Sequence, residues 1–192
     1  MIVGAILVQN TSWNNVERAI AALRKERLLT ALGVARTPVD NLAAFIRPSG
    51  YFRQKARKLH EFVQFLETEH DGSLHKMFAT PTADLREQLL GVHGIGPETA
   101  DSILLYAGGR PVFVVDAYTR RILQRHKIVP KTGSYENIRG LMEKSLPSDV
   151  PLFNEFHALL VQVGKRFCRP KAPNCSACPL KCFLPRQIEG AL

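Results

Sequence analysis

The sequence has no cysteine before Cys168, a single tryptophan, no internal repeat and no low-complexity tract. It also lacks an apolar run able to cross a bilayer. The N-terminal stretch MIVGAILV is apolar for eight residues, where a spanning helix needs about 20. That stretch has no basic lead and no small-residue cleavage site, so it does not read as a secretion signal. These absences argue against a membrane protein and a secreted disulfide scaffold, and the expectation is a cytoplasmic chain. The sequence enters an apolar helix with no cap ahead of it, which implies an upstream helix absent from this chain.

Acids are scarce relative to bases. There are 17 Asp+Glu against 26 Lys+Arg, a net charge of +9. Such a balance suits a polyanionic partner, nucleic acid or an anionic membrane surface. Arg53, Lys55, Arg57 and Lys58 come before any acid on their predicted helix, and Arg120, Arg121, Arg125, Lys127 and Lys131 follow Asp116 with none among them. Both clusters read as faces that could track phosphates.

At 192 residues the chain can bury a core, as one domain or two small lobes. Hydrophobic spacing is helical almost throughout, and the fold class is all-α. Ser12 is placed to cap a helix carrying Val16, Ile20 and Leu23, and Thr37-Pro38 opens a short one through Ile46. The spacing predicts a long helix over 52–70, with Phe52, Ala56, Leu59, Val63 and Leu66 on one face and Phe62 beside it. Thr80-Pro81 introduces another, Ser134 caps one ending near Ser145, and 149–167 holds Phe153, Phe156, Leu159, Leu160 and Val163 as core. The β-branched run VFVVD, 112–116, has no visible partner strand and reads as a buried connector.

Two features carry chemistry. In GVHGIGPETAD, 91–101, a helix over 83–90 is followed by a very short glycine-rich hairpin and a second helix with Pro97 at its first position. Gly94, Ile95 and Gly96 form the turn, with Glu98 in the first turn of the helix. A turn of this kind, opening a helix, points backbone amides outward and can hold an anion. The second feature is CRPKAPNCSACPLKC, which gathers Cys168, Cys175, Cys178 and Cys182. Thiolates at this density, amid Pro and Lys, point to a metal centre. Zinc typically takes two paired knuckles, and only Cys175 and Cys178 form a normal CxxC. The spacing favours an iron–sulfur cluster, with zinc as the alternative.

With these motifs in place the chain resembles the helix-hairpin-helix DNA glycosylase superfamily of the endonuclease III type. The resemblance rests on QNT (9–11), GYFRQKA (50–56), the hairpin, VVDAYTRR (114–121) and the cysteine loop, in this order. It implies a two-lobed fold, a six-helix lobe with wedge loop and hairpin over 1–112 and a cluster-bearing helical lobe over 113–192. It implies a monomer that acts on double-stranded DNA with a damaged base, nucleoid-associated in a prokaryotic-type cell. Gln9 would be the plug filling the gap left by a flipped base, Tyr51 the wedge, and the hairpin around Gly94, Ile95, Gly96 and Glu98 the phosphate holder. Asp116 would be the catalytic carboxylate, and Cys168, Cys175, Cys178 and Cys182 would hold a [4Fe–4S] cluster. Asp116 also stands where an N-cap belongs, and the two roles are compatible. Tyr51 could instead be a core aromatic, and Trp13 either a pocket residue or a half-buried core one.

Departures from the family narrow the chemistry. Bifunctional members carry a Lys where this chain has Glu98, and a carboxylate cannot form an imine. Adenine-mismatch members carry a Glu four residues before the Gln of this segment, where this chain has Ala5. The resemblance therefore implies a monofunctional enzyme acting on bases that leave readily, alkylated purines such as 3-methyladenine or 7-methylguanine. Its alternatives are a mismatch uracil or thymine glycosylase, a bifunctional glycosylase/lyase, or a non-catalytic DNA-binding module with a metal site. The family's last cysteine spacing is x5, whereas here x3 precedes Cys182, so the first three cysteines are the firmer ligands.

Overall fold

The computed structural model describes residues 1–185. Among them the regular elements are helices, with no strand. The chain divides into two units, meeting in sequence between Arg110 and Pro111.

The first unit holds eight α-helices: α1 (Ile2–Leu7), α2 (Trp13–Lys25), α3 (Ala31–Arg36), α4 (Val39–Phe45), α5 (Phe52–His70), α6 (Leu74–Ala79), α7 (Thr82–Gly91) and α8 (Pro97–Tyr106). That is two beyond the expected six. The six-residue helices α3 and α6 are each opened by a hydroxyl cap, Thr30 accepting from the Gly33 amide and Ser73 from the Lys76 amide. They are too short to show a period, so their caps were the only signal. Ser12 takes the N-cap position of α2, but its side chain makes no capping bond.

Helix α5 is the spine, packed by α1, α3, α4 and α6. Its Ala56, Leu59, Phe62, Val63 and Leu66 are buried, and each larger side chain contributes about 1.5–3 kcal/mol. A 3-10 turn, Arg47–Ser49, precedes it. Lys55, expected on an exposed basic face, is instead 2% exposed. At one turn into α5 it falls on the same face as Leu59 and Phe62, so the helical register turns it inward.

The second unit contains α9 (Ala117–Arg125), α10 (Tyr135–Ser145), α11 (Val150–Arg166) and a 3-10 turn at Lys181–Phe183. Val112, Phe113, Val114 and Val115 are all buried yet form no strand. Side chains satisfy the connector's amides: Phe113 N–H donates to Glu143 Oε1 (3.0 Å) and Val115 N–H to the Tyr135 hydroxyl (3.3 Å). Phe113 meets Phe153 and Phe156 edge-on, with centroids 5.4 and 5.8 Å apart. Leu159, expected in the core, is exposed. The apolar face of α11 runs through Phe153, Leu160 and Gly164, and Leu159 lies outside that stripe. At Gly164 a Cβ would stand 2.3 Å from Tyr118 Cδ1, so α9 and α11 approach closely only because this residue is glycine.

Candidate functional site

In the first unit the candidate residues gather around the α7–α8 hairpin. Gly94 has φ +85°, a region closed to most side chains, and a Cβ there would also strike the Lys58 chain at 2.6 Å. Gly96 differs: a Cβ on it would meet nothing within 4 Å. Gly94 is thus required by the protein's own packing, while Gly96 leaves an open approach from outside. The amides of Gly94 and Gly96 have no hydrogen-bond partner among the described residues. Ile95 is buried and its amide closes the turn on Val92 O (3.0 Å), so neither its side chain nor its N–H faces outward. Glu98 is exposed in the first turn of α8.

Gln9 is folded onto this hairpin. Its Nε2 donates to Thr99 Oγ1 (2.9 Å) and Gly94 O (3.3 Å), and its Oε1 accepts from Lys58 Nζ. The structure therefore joins three sequence-distant motifs: the QNT segment, the basic face of α5 and the hairpin. Sequence reading missed the ion pair that fixes the hairpin's two arms. Arg86 on α7 donates from Nε to Asp101 Oδ1 on α8 (2.7 Å) and from Nη2 to Oδ2 (3.2 Å), and Asp101 is fully buried. The buried face of α8 was the only hint, since an acid within an apolar stripe demands a partner.

Tyr51 is 65% exposed, not a core residue. Its backbone is left-handed, φ 45°, directly after Gly50 at φ 67°. Trp13 is exposed, lies against Gly4 and donates from Nε1 to Glu17 Oε1 (3.0 Å). Of the first basic cluster, Arg53 and Arg57 are exposed and Lys58 partly so.

In the second unit Asp116 caps α9, its Oδ1 accepting from Thr119 N–H at 2.7 Å. Its Oδ2 lies 3.5 Å from His157 Nε2 on α11, and both side chains are 12% exposed. Burial pushes the carboxyl pKa up, but His157 and the Thr119 amide outweigh it, and the net shift is downward. Asp116 is thus held as a carboxylate, in a nearly closed setting, at neutral pH. His157 is a further residue of this site that spacing alone did not single out; a His on a helix face carries no signal until the fold sets it beside an acid.

Cys168, Cys175 and Cys178 line one small cavity with Arg125, His126 and Lys181. Cys182 is exposed and is not among the lining residues. Among the described residues no three His, Cys, Asp or Glu side chains are gathered closely enough to hold a metal ion as they stand. The donor chemistry fits a cluster. Three cysteines line one space bordered by Arg125 and Lys181; Arg125 donates to Cys168 Sγ (3.2 Å) and to the carbonyls of Arg169 and Pro170, and Arg121 donates to Cys168 O (2.7 Å). Arg120 donates to Gly133 O. Three arginines expected on a phosphate-tracking face are therefore tied to carbonyls of their own unit, and Lys127 and Lys131 remain exposed.

The first unit thus carries a glycine hairpin, and the second a capping aspartate and a cysteine loop, the features on which the resemblance to DNA repair glycosylases rests. The chain matches the HhH-GPD superfamily base excision DNA repair protein family over residues 3–148, and it belongs to that family. It is 45% identical over 185 residues to a candidate DNA repair glycosylase of Methanocaldococcus jannaschii, spanning 95% of this chain and 83% of that one. It is 30% identical over 181 residues to endonuclease III of Thermotoga maritima, spanning 94% of this chain and 79% of that one. The structure superposes on the H. pylori 3-methyladenine DNA glycosylase bound to 1,N6-ethenoadenine with a TM-score of 0.75 at 26% identity, covering 86% and 83% of the two chains. This chain is accordingly a DNA glycosylase of the HhH-GPD type. Among the described residues no helix is long and apolar enough to cross a membrane.

Proposed function

We propose that this glycosylase is monofunctional and releases alkylated purines, 3-methyladenine or 7-methylguanine, from double-stranded DNA. The observation that carries the reading is Glu98, an exposed carboxylate in the first turn of α8 where lyase relatives place an amine. Without that amine the enzyme cannot form an imine with the sugar. Ala5 removes the acid that a neutral purine would need for protonation. A cationic alkylated purine needs neither. When its glycosidic bond breaks, the bonding electrons neutralise the base, and positive charge passes to the sugar. Asp116, an ionised and largely buried carboxylate, stabilises that charge and receives a proton from the water that adds at C1′. The relative crystallised with 1,N6-ethenoadenine supports a site shaped for modified purines.

In this reading the free amides of Gly94 and Gly96, at the mouth of α8, hold a phosphate. Gln9 and Tyr51 insert into the duplex around the extruded base. Cys168, Cys175 and Cys178 hold a [4Fe–4S] cluster with Cys182 as fourth ligand, zinc being the alternative. Such a cluster, when bound, supplies a cross-link for the loop and a one-electron redox centre.

The test is incubation with methylated DNA beside uracil- and thymine-mismatch duplexes, followed by alkali. Release of methylated purines, abasic sites revealed only by alkali, and no borohydride-trapped adduct are expected. Robust uracil or thymine release without methylpurine release overturns the substrate assignment, and efficient trapping overturns the monofunctional one.

A further inference from the structure

Lys55 is among the largest fully buried side chains of the protein, and no step of base release uses it. Its Nζ donates to two backbone carbonyls, Leu7 O at 2.9 Å and Ser49 O at 2.6 Å. Leu7 is the last residue of α1, and Ser49 the last of the 3-10 turn before α5. Carbonyls at such ends lack intrahelical partners, and here one amine serves both. Gln9 lies two residues beyond the first anchored carbonyl, and Tyr51 two residues beyond the second. Each of these segments also contains a left-handed residue, Asn10 at φ 54° and Tyr51 itself at φ 45°, conformations that persist only when the surroundings enforce them. A buried amine costs more than the Met or Leu that would fill the same volume, so packing alone does not account for it.

We propose that Lys55 is a positioning residue that clamps the Gln9 segment and the Tyr51 segment into one rigid body, so that plug and wedge enter DNA with a fixed separation. The inference rests on the reading of Gln9 and Tyr51 as inserting residues. Lys55 touches no DNA. Misplacing a positioned group by about 1 Å can cost about 100-fold, and loss of this clamp frees two such groups together.

The experiment uses a duplex with a tetrahydrofuran abasic analogue opposite 2-aminopurine, whose fluorescence reports insertion without reference to the base excised. Wild type is expected to change the signal, Gln9→Ala and Tyr51→Ala each to reduce the change, and Lys55→Met to lower it about tenfold or more. Affinity of Lys55→Met for undamaged duplex should stay within about twofold of wild type, since hairpin and surface cations are untouched. A folded Lys55→Met with the wild-type signal overturns the clamp. Wild-type signals from Gln9→Ala and Tyr51→Ala would overturn the inserting roles instead. Hydrogen exchange on the wild-type protein stands independently of any variant's folding. The hydrogen-bonded amides of Thr11 and Gly50, one in each segment, should open with one common constant, and opening constants more than about tenfold apart overturn the proposal.

Discussion

Arg86 and Asp101 form a two-pronged ion pair that ties the last helix before the glycine turn to the first one after it. Asp101 is fully buried while the Arg86 side chain is 15% exposed, so the pair fixes the angle at which the turn is presented. Removing one member of a buried pair leaves an uncompensated charge, at about 3–5 kcal/mol. Arg86→Met should therefore lower stability by that amount in urea titrations. Arg86→Met with Asp101→Asn should recover much of the loss. A single variant within about 0.5 kcal/mol of wild type would show that the pair carries no such weight.

Asp116→Asn should abolish excision while leaving affinity for an abasic-analogue duplex largely intact, because in the proposed reading the carboxylate acts on developing charge and not on docking. The amide retains an oxygen for the Thr119 cap, so the fold should survive. Normal excision by the variant would reduce Asp116 to a helix cap. In the wild type the carboxyl titrates below its ordinary value, so its stabilising contribution is complete above the unfolded value of about 3.9 and is lost as pH falls through the lower folded value.

Lys55 gives the opposite signature. Burial, and secondarily the Lys58 ammonium, lower its pKa to about 8 from 10.5. The folded protein then holds the neutral amine more readily than the unfolded chain does. Below about 8 the group penalises folding, and the penalty lifts as pH rises towards the unfolded value, by about 1.4 kcal/mol per unit within the window. The stability of wild type relative to Lys55→Met should rise between pH 8 and 10, measured by paired urea titrations. A flat difference would mean the amine is not perturbed.

Purification in the absence of oxygen should give a brown protein with iron and sulfide near four per chain, the content of a [4Fe–4S] centre. Cys168→Ser should lose the colour outright. Cys182→Ser distinguishes a four-cysteine site from a three-cysteine one, since Cys182 does not line the cavity that the other three share. Stoichiometric zinc without iron would replace the cluster.

Helices with a long apolar face were legible in the sequence because burial enforces their period; α5 falls on the predicted 52–70. Asp116 was legible as a cap for the same local reason. What could not be read were pairings set by tertiary geometry: Arg86 with Asp101, His157 with Asp116, Gln9 with Thr99. Charge counting also misassigned Lys55, Arg120, Arg121 and Arg125. A basic residue on a helix looks identical in sequence whether its head meets solvent or a carbonyl, and only the fold decides. Leu159 shows the converse, an apolar side chain left facing water.

The left-handed backbone of Tyr51 carries a consequence for how this protein could change. A non-glycine residue in that conformation gives up about 1–2 kcal/mol that glycine would not. Tyr51→Gly should then unfold at equal or higher denaturant concentration than wild type and, if Tyr51 is the wedge proposed above, should lose the capacity to part a duplex. In the proposed reading, the ring that parts a duplex sits on a backbone conformation that glycine would adopt without strain. On that reading durability and usefulness pull this one residue in opposite directions.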